Sequence, residues 1–387
     1  MMLSVVLLLS LSSAAAAACI PTGSVSAIQT ELSAGRDAVL CANATFNVTS
    51  TINFVYANTK IYTEGYPTGA TRATLRVASS SLQTLVNGVD KSGVAIRNVI
   101  LDGARPTYGY VRPAAEALIK LGGNASGQTV DSIEAFEPRG WTALHVFEGS
   151  PSWNGSAWTG GCTSATVTNS FIHDAGEILN SKWADGISMA CRNSYVAYNT
   201  IEDATDGGIV VFGAPGTIVE WNTVKNVDRT AIGGINMVDT TYRRSVLING
   251  VATTVGDYTG TIVRYNTLVA DAPWCGFFCF PVLMYSGISM GPRVWWCSPP
   301  DGVTIAYGGK AIGNELQGNA MWYGMPADGV ASWESTSNIN NAGFLEDFAG
   351  SSCSSSNLRK AFVRHSTHAT GTFQSQYVEG QTHVVMP

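Results

Sequence analysis

The feature that most constrains the fold is a short motif that recurs through the middle of the chain. It has the pattern V-x-x-N-x-I, and a polar turn and a Gly-Ile segment follow each complete copy. Copies begin at Ala95, Val196, Val219, Val263 and Ala311. Short β-branched strands that repeat every 20 to 25 residues or so cannot bury a face alone, so neighbouring copies must stack into a solenoid.

The repeat units of this solenoid are expected to be strands rather than helices, because the segments lack the 3.6-residue period of helical repeats and are rich in Val, Ile and Thr. A variant copy covers residues 167–172 and carries Ser170 in place of the asparagine. We interpret the recurring Asn as a turn residue that tolerates left-handed backbone angles and forms a ladder with its copies. Near the start, Val25, Ile28 and Leu32 share one helical face, which predicts a short helix capping the first turn.

Composition and charge exclude several classes of protein. The chain has 387 residues, is 45% hydrophobic, and carries 22 Lys and Arg against 28 Asp and Glu, a net charge of −6. This content suffices for a packed core, whereas the acidity and the absence of a basic run argue against a nucleic-acid partner. No linker divides the chain, so we expect one elongated, monomeric domain over 19–387, with its core at about 24–330 and a C-terminal cap or tail at 331–387.

Residues 1–18 have the character of a secretory signal peptide. A short apolar run at 5–11 is followed by small residues up to 18, and the run is too short to span a membrane. We therefore expect a secreted, extracellular protein with no membrane association. Asn-X-Ser/Thr sequons predict N-glycosylation at Asn43, Asn47, Asn124 and Asn154.

The eight cysteines fit an oxidising compartment and predict four disulfides rather than a zinc site, because the five His are scattered. Eight cysteines allow 105 connectivities. Proximity along the chain favours the pairs Cys19–Cys41, Cys162–Cys191, Cys275–Cys279 and Cys297–Cys353. Of these, Cys162–Cys191 has independent support, because the repeat register places both residues in equivalent turns of adjacent rungs.

Taken with the capping helix, the motif copies and their Gly-Ile partners give the chain a family resemblance. Over residues 24 to 330 or so it resembles the right-handed parallel β-helix superfamily typified by pectate lyases and polygalacturonases. The resemblance implies an all-β fold, a single right-handed parallel β-helix (solenoid) with an N-terminal capping helix. In that superfamily each turn has three strands, and the substrate cleft runs along the first, which here is the Gly-Ile strand.

Placing the isoleucines of this strand inside the solenoid predicts its outer face. The residue after each isoleucine then points outward: Ser188, Val210, Asn236 and Ser289, with His145 in an earlier rung. We assign the residues two before each isoleucine to the same face: Thr142, Asp185, Gly207, Gly233 and Ser286.

Connection lengths predict a groove above this face. The connections after the Gly-Ile strand are long at 148–164, 239–260 and 291–302, and short near 191–194 and 213–216, which leaves the floor open between raised walls. Aromatic wall residues could stack on sugars or pack against the solenoid instead: Trp153, Trp158, Tyr242, Trp295 and Trp296. Trp183 and Arg293 complete the predicted substrate-binding set.

Polygalacturonases carry an Asn-Thr-Asp strand, an Asp-Asp strand, a Gly-His-Gly strand and an Arg-x-Lys segment on this face. Here Asp185 lies in Ala-Asp-Gly and Asp206 in Thr-Asp-Gly, Gly233-Gly234 replaces the histidine, and no Arg-x-Lys matches. Two carboxylates on neighbouring rungs are the minimum for glycoside hydrolysis by an acid and a base, which is our first prediction. The alternative is that both are turn residues that bind backbone N–H groups.

Two other functions stay open. A polysaccharide lyase needs a base and a cation, for which Lys182 and Arg229 are candidates, with Asp174, Asp185 and Asp206 as candidate Ca²⁺ ligands. No other cofactor is expected. The further polar residues of these turns are His173, Glu177, Asp203 and Asp228. A non-catalytic carbohydrate-binding or host-surface protein is favoured by the missing histidine and by Gly233 and Val210 on the floor. In each case the expected partner is a polysaccharide.

Overall fold

The computed structural model describes residues 19–111, 116–177, 182–237, 241–248, 250–270, 284–291, 303, 306–317, 330–331 and 334–336. Within them the chain winds into a right-handed parallel β-helix, as predicted, and each turn contributes one strand to each of three parallel sheets. We call the sheets A, B and C in the order in which the chain visits them, and name the connections the A–B, B–C and C–A corners.

The bounds of the sheet strands follow from the repeat. Sheet A contains Ala38–Leu40, Lys60–Thr63, Ala95–Arg97, Thr129–Asp131, Thr166–Thr168, Tyr195–Ala197, Ile218–Glu220, Ile262–Arg264, Lys310–Ile312 and Glu334–Thr336. Sheet B contains Thr45–Val48, Ala73–Val77, Val99–Asp102, Glu134–Phe136, Phe171–His173, Thr200–Glu202, Thr223–Asn226, Thr267–Ala270 and Glu315–Gln317. Sheet C contains Ile52–Asn53, Val86–Asn87, Ile119–Gly122, Thr142–Phe147, Asp185–Met189, Gly207–Val211, Ala231–Met237 and Met284–Met290.

The remaining elements lie outside the three sheets. Two small hairpins and a four-stranded sheet decorate the corners: Ser152–Trp153 with Trp158–Thr159, Gly176–Glu177 with Lys182–Trp183, and Arg243–Ile248, Val251–Asp257, Ala306–Tyr307 with Val330–Ala331. The capping helix spans Val25–Ser33 and buries Ile28 and Leu32, as predicted, and a short helix spans Arg105–Tyr108. No helix in the described residues is long and apolar enough to cross a membrane.

The predicted asparagine ladder joins successive rungs at the A–B corner. Asn199 Nδ2 donates to Asn222 Oδ1 over 2.9 Å, Asn222 Nδ2 to Asn266 Oδ1 over 2.9 Å, and Asn266 Nδ2 to Asn314 Oδ1 over 3.0 Å. All four side chains are buried. Stacked identical side chains thereby pair every amide with the rung above or below it.

The left-handed backbone angle lies one residue earlier than expected in these rungs. Tyr198, Trp221 and Tyr265 have φ of 59°, 56° and 55°, whereas the following asparagines do not have positive φ. Among the repeat asparagines, only Asn98, in the first copy of the motif, follows the prediction, with φ 50°. The reason is that each asparagine side chain must point into the stack to join the ladder. The exposed residue before it therefore adopts the left-handed angle that reverses the chain.

Sheet C begins with a bend that simple alternation does not predict. Ser188 Oγ donates to Asp185 Oδ2 over 2.7 Å, so residues three apart share the outer side. A Cβ atom on Gly186 would lie 2.6 Å from Ile201 Cγ2 and from Gly208 O, so Gly186 faces the core beside Ile187. Because two consecutive residues point inward, Asp185 lies on the outer side, as assigned, although strict alternation would have turned it inward.

Two disulfides lie in the described residues, Cys19–Cys41 and Cys162–Cys191, both in the pairings suggested by the sequence. Cys275, Cys279, Cys297 and Cys353 lie outside the described residues. The four sequon asparagines are exposed, a condition that N-glycosylation requires.

Candidate functional site

The predicted floor on the outer side of sheet C is almost wholly buried. Ser188 and Ser289 are 0% exposed and Asn236 is 2% exposed, with no hydrogen-bond partner for Asn236 Oδ1. Their strands pair in the predicted register, Ser188 beside Val210 and Asn236 beside Ser289. Sequence periodicity therefore gave the direction of these side chains but not how deeply they are covered.

Asp185 is the fixed carboxylate of this floor. It is 3% exposed, and its Oδ1 accepts the backbone N–H of Gly207 in the next rung over 3.0 Å. Its Oδ2 accepts the Ser188 hydroxyl, which also lies 2.8 Å from the Thr142 hydroxyl. The Asp185 carboxylate therefore links its own rung to the next one, where it binds the residue that follows Asp206.

Asp206 lies at the B–C corner of that next rung and is half-buried. Its backbone N–H donates to Ala184 O over 3.1 Å, and its carbonyl accepts from Gly233 N over 2.9 Å. Both backbone bonds fix the residue between its neighbouring rungs at the edge of sheet C. The two carboxylates therefore come from adjacent rungs, one buried and one partly accessible.

His145 and Lys120 form a second polar pair on the same side of sheet C. They face each other on adjacent strands, and Ser188 follows His145 in the next rung. The His145 ring meets the Trp141 ring edge-on with centroids 4.8 Å apart. Burial, and secondarily the charge of Lys120, lower the pKa of His145 to about 4, so its imidazole is neutral at pH 7.

Sequence reasoning missed Lys120 and its ion-pair partner Glu116, whose Oε2 lies 2.8 Å from Lys120 Nζ. Extending the sheet C register one rung before His145 would have found Lys120. It also missed Glu148, a half-buried residue just after the strand Thr142–Phe147, where burial raises the pKa of the carboxyl. No sequence signal distinguishes Glu148 from a surface glutamate.

The candidate base and cation of a lyase are held in an ion-pair network at the B–C corner. Arg229 Nη2 lies 2.9 Å from Glu137 Oε1 and 2.8 Å from Asp174 Oδ1, and Nη1 donates to Gly176 O over 2.9 Å. Lys182 Nζ lies 3.6 Å from Glu177 Oε2. Because Arg229 and Lys182 already bind protein carboxylates, their contacts are those of corner-stabilising residues.

Two further corner residues reinforce this network. The Asp203 carboxylate accepts the backbone N–H groups of Val227, Asp228 and Arg229 at 2.7 to 3.1 Å, which fixes the turn that carries Arg229. Burial is the main cause of the raised pKa of Asp203. Glu177 also pairs with Arg105 at 3.3 Å, which links the network to the preceding connection.

His173 lies at the end of its sheet B strand between two phenylalanines, with ring centroids 4.8 Å from Phe136 and 4.4 Å from Phe171. Its Nδ1 is 2.7 Å from Asp174 Oδ2, and its Nε2 is 3.5 Å from Glu134 Oε1. Burial acts to lower the pKa of His173, but the hydrogen bond to Asp174 and the nearby Glu134 carboxylate outweigh it and raise the pKa to about 9. The imidazolium therefore belongs to the structural network.

Three of the wall aromatics, Trp153, Trp158 and Tyr242, pack on one another. This agrees with the alternative in which the wall rings pack against the protein rather than stack on sugars. Trp158 Nε1 donates to Asp257 Oδ2 over 2.8 Å, and its ring meets the buried Tyr242 edge-on at 5.0 Å. The Arg244 guanidinium covers Trp153 at 5.0 Å. These rings stabilise the C–A corner.

The remaining predicted substrate contacts divide into two groups. Trp183 is half-buried in the B–C hairpin, where its carbonyl accepts the Tyr110 hydroxyl over 3.4 Å. Arg293, Trp295 and Trp296 lie outside the described residues. Within the described part of the chain, no group of three or more His, Cys, Asp or Glu is arranged to hold a metal ion, so Asp174, Asp185 and Asp206 are not brought together as Ca²⁺ ligands.

Comparison with known proteins supports the fold. No protein-family profile and no curated protein sequence matches this chain. An alginate lyase from Paenibacillus sp. str. FPU-7 is similar in structure, with a TM-score of 0.50, 15% identity, and coverage of 80% of this chain and 92% of that one. The catalytic domain of a GH87 α-1,3-glucanase also has a TM-score of 0.50, with 12% identity, and this chain covers 58% of it while 84% of this chain is matched.

Proposed function

We propose that the protein is a secreted carbohydrate-active enzyme whose groove over sheet C binds a polysaccharide and hydrolyses a glycosidic bond. The observation that carries the proposal is the pairing of Asp185 and Asp206 from adjacent rungs. Asp185 is anchored by the N–H of the residue that follows Asp206, so the two groups keep a fixed relation. The structurally similar proteins include a lyase and a glucanase, and at 15% and 12% identity they support the fold alone.

The two carboxylates have the unequal environments that acid–base catalysis needs. Asp206 is partly accessible and can act as the general acid that protonates the leaving oxygen. Asp185 accepts hydrogen bonds from a backbone N–H and a hydroxyl, which stabilise a carboxylate that orients or deprotonates water. Different surroundings thus give one residue type two roles.

A second function, β-elimination on a uronate polymer, is favoured by His145 and Lys120. A neutral imidazole can remove the proton α to a carboxylate, and an ammonium group in the adjacent rung can stabilise the charge that develops. His145 and Lys120 lie on sheet C itself, whereas Lys182 and Arg229 lie in the B–C network. Lys120, like them, is paired with a carboxylate, that of Glu116. The two functions give chemically different products.

The test is a screen of the purified protein against plant, fungal and algal polysaccharides. Reducing ends and the ultraviolet absorbance of unsaturated sugars are read together, because elimination yields both and hydrolysis yields only the former. On the best substrate, Asp206→Asn is expected to lower kcat by about 10² to 10⁴. Asp185→Asn should lower it comparably while circular dichroism stays unchanged.

The matched control is Asp228→Ser, which removes an exposed carboxylate at the next B–C corner and should leave kcat unchanged; asparagine is avoided here because it would create a sequon with Thr230. Unsaturated products that disappear in His145→Gln and persist in Asp206→Asn would establish elimination instead. If the protein binds a polysaccharide but cleaves none of those tested, both mechanisms are contradicted and the protein is a non-catalytic carbohydrate-binding protein.

A further inference from the structure

The A–B corner carries a row of exposed aromatic residues that begins on the rung of Asp206. Tyr198, Trp221 and Tyr265 are 54%, 50% and 43% exposed and precede the ladder asparagines of three consecutive rungs. We call these three residues the aromatic ridge. Because the rungs stack along the solenoid axis, the ridge runs parallel to that axis and at a different corner from those that flank sheet C.

Neither the turn nor the core accounts for aromatic residues here. The ladder turn requires a left-handed residue at this position, and Asn169 and Gly313 supply it at φ 54° and 63° in other rungs. Asparagine and glycine adopt that conformation readily, whereas bulky residues do so rarely. Rings that are half exposed add little to a core, so their presence at three successive rungs calls for another explanation.

The ridge combines ring surface with hydrogen-bonding groups. Trp221 and Tyr265 stack with centroids 4.8 Å apart and an interplanar angle of 28°. Alongside, the Tyr195 hydroxyl donates to Glu220 Oε1 over 2.7 Å, and Arg264 Nε donates to Glu220 Oε2 over 2.5 Å. The Arg264 and Glu220 charges balance each other, so the ridge presents neutral rings edged by polar groups.

These properties select among classes of ligand. At 150 to 250 Å² per aromatic side chain, three half-exposed rings offer about 300 Å², well below the 1,200 to 2,000 Å² or so of a stable protein interface. Nucleic acids also stack on aromatics, but they need unpaired cations along the backbone, and Arg264 is paired in a chain of net charge −6. A lipid surface would need several Lys or Arg residues beside the apolar face, whereas Arg264 is already paired with Glu220.

We infer that the aromatic ridge binds an extended polysaccharide chain, whose C–H groups contact the exposed edges of the stacked Trp221 and Tyr265 rings and the exposed Tyr198 ring. The hydroxyl groups of the sugars then have Tyr195, Glu220 and Arg264 as hydrogen-bonding partners. A linear ridge of three rungs fits a polymer that lies along the solenoid rather than a single sugar. The inference does not depend on the catalytic roles of Asp185 and Asp206, and binding there leaves the groove at sheet C open.

Native electrophoresis in gels that contain polygalacturonate, alginate or a soluble β-glucan tests this binding. Trp221→Gly removes the central ring and keeps a residue that suits the left-handed turn, as Gly313 does. Asparagine is avoided because it would create a sequon with Thr223. We expect Trp221→Gly to raise the apparent Kd for the retarding polymer at least fivefold, and Tyr198→Gly with Tyr265→Gly to do the same.

The matched control is Tyr66→Gly, which also removes a left-handed tyrosine, 47% exposed and stacked on Tyr62 at 4.7 Å, but far from the ridge along the chain. It should leave Kd unchanged, and neither variant should alter kcat on short oligosaccharides. Retardation of Trp221→Gly equal to wild type, or no retardation of the wild type by any of the polymers, would overturn the inference. A change of sedimentation coefficient in Trp221→Gly, with retardation unchanged, would assign the ridge to self-association.

Discussion

The A–B and B–C corners of the same rungs are built in opposite ways. From Asn199 to Asn314 the A–B corner repeats one two-residue turn, and one buried amide per rung bonds to the next. The B–C corner varies in length, from the four residues 203–206 and 227–230 to the eleven residues 174–184 with their hairpin in the rung before them. The repeated corner determines how rungs stack, whereas the variable corner holds the charged groups beside the candidate site.

The largest effect is expected where the repeated corner is broken. Asn222 is 1% exposed, donates to Val196 O and Asn266 Oδ1, and accepts from Asn199 Nδ2. Asn222→Ala removes these bonds and leaves each of their buried partners with one hydrogen bond fewer, so we expect a loss of about 3 to 5 kcal/mol in the free energy of unfolding, measured by urea denaturation.

The control for this prediction is Asn169→Gly, because Asn169 is exposed at the same corner and glycine suits its positive φ. Its cost should stay below about 1 kcal/mol. If both variants unfold at the same urea concentration as wild type, the ladder does not stabilise the stack.

A second prediction concerns the glycine that faces the core where the B–C corner meets sheet C, which is Gly186 in one rung and Gly208 in the next. A Cβ on Gly208 would lie 2.3 Å from Val224 Cγ1 and 2.7 Å from Gly234 O, and the backbone oxygen cannot move without disturbing the next rung. Gly208→Ala is therefore expected to cost about 1 to 3 kcal/mol in thermal or urea unfolding.

Gly69→Ala is the matched variant, since no heavy atom lies within 4 Å of its added Cβ. Its unfolding free energy should remain within about 0.5 kcal/mol of wild type. Equal stability of Gly208→Ala and Gly69→Ala would show that the bend tolerates a side chain.

The difference between the repeated A–B corner and the variable B–C corner explains which features the sequence could predict. The ladder and the partnership of Cys162 with Cys191 follow from the repeat, because residues at equivalent positions of successive rungs stack in register. The capping helix follows from the helical spacing of Val25, Ile28 and Leu32. The outer position of Asp185 was assigned correctly, but its physical cause, two successive inward residues at Gly186, is a bend that periodicity does not encode.

The site was less predictable because its contacts join residues that no repeat relates. Arg229 reaches Glu137, 92 residues earlier, and the variable lengths of the B–C connections remove any register that would pair them. Burial of Ser188 and Asn236 depends on what covers the sheet, which alternation cannot show. Sequence alone therefore placed candidate groups on rungs, while their ion pairs came only from the folded structure.

A third prediction concerns the pH dependence of stability that His173 and His145 produce. The folded pKa of His173, about 9, lies above the unfolded value of about 6.5, so its stabilisation is complete below pH 6.5 or so and is lost as pH rises to about 9. For His145 the folded pKa is about 4, so its contribution is complete above pH 6.5 or so and is lost as pH falls.

Thermal unfolding of wild type, His173→Gln and His145→Gln between pH 5 and 9.5 tests both signs. The stability advantage of wild type over His173→Gln should shrink from pH 6.5 to 9, whereas its advantage over His145→Gln should shrink from pH 6.5 to 5. The lower limit of pH 5 keeps Glu134 and Asp174 ionised, since hydrogen bonding to His173 holds the pKa of each below its usual value. Parallel pH profiles for the two variants would contradict the assignment of a charged histidine to the B–C corner and a neutral one to sheet C, because the two pKa values lie on opposite sides of the unfolded value.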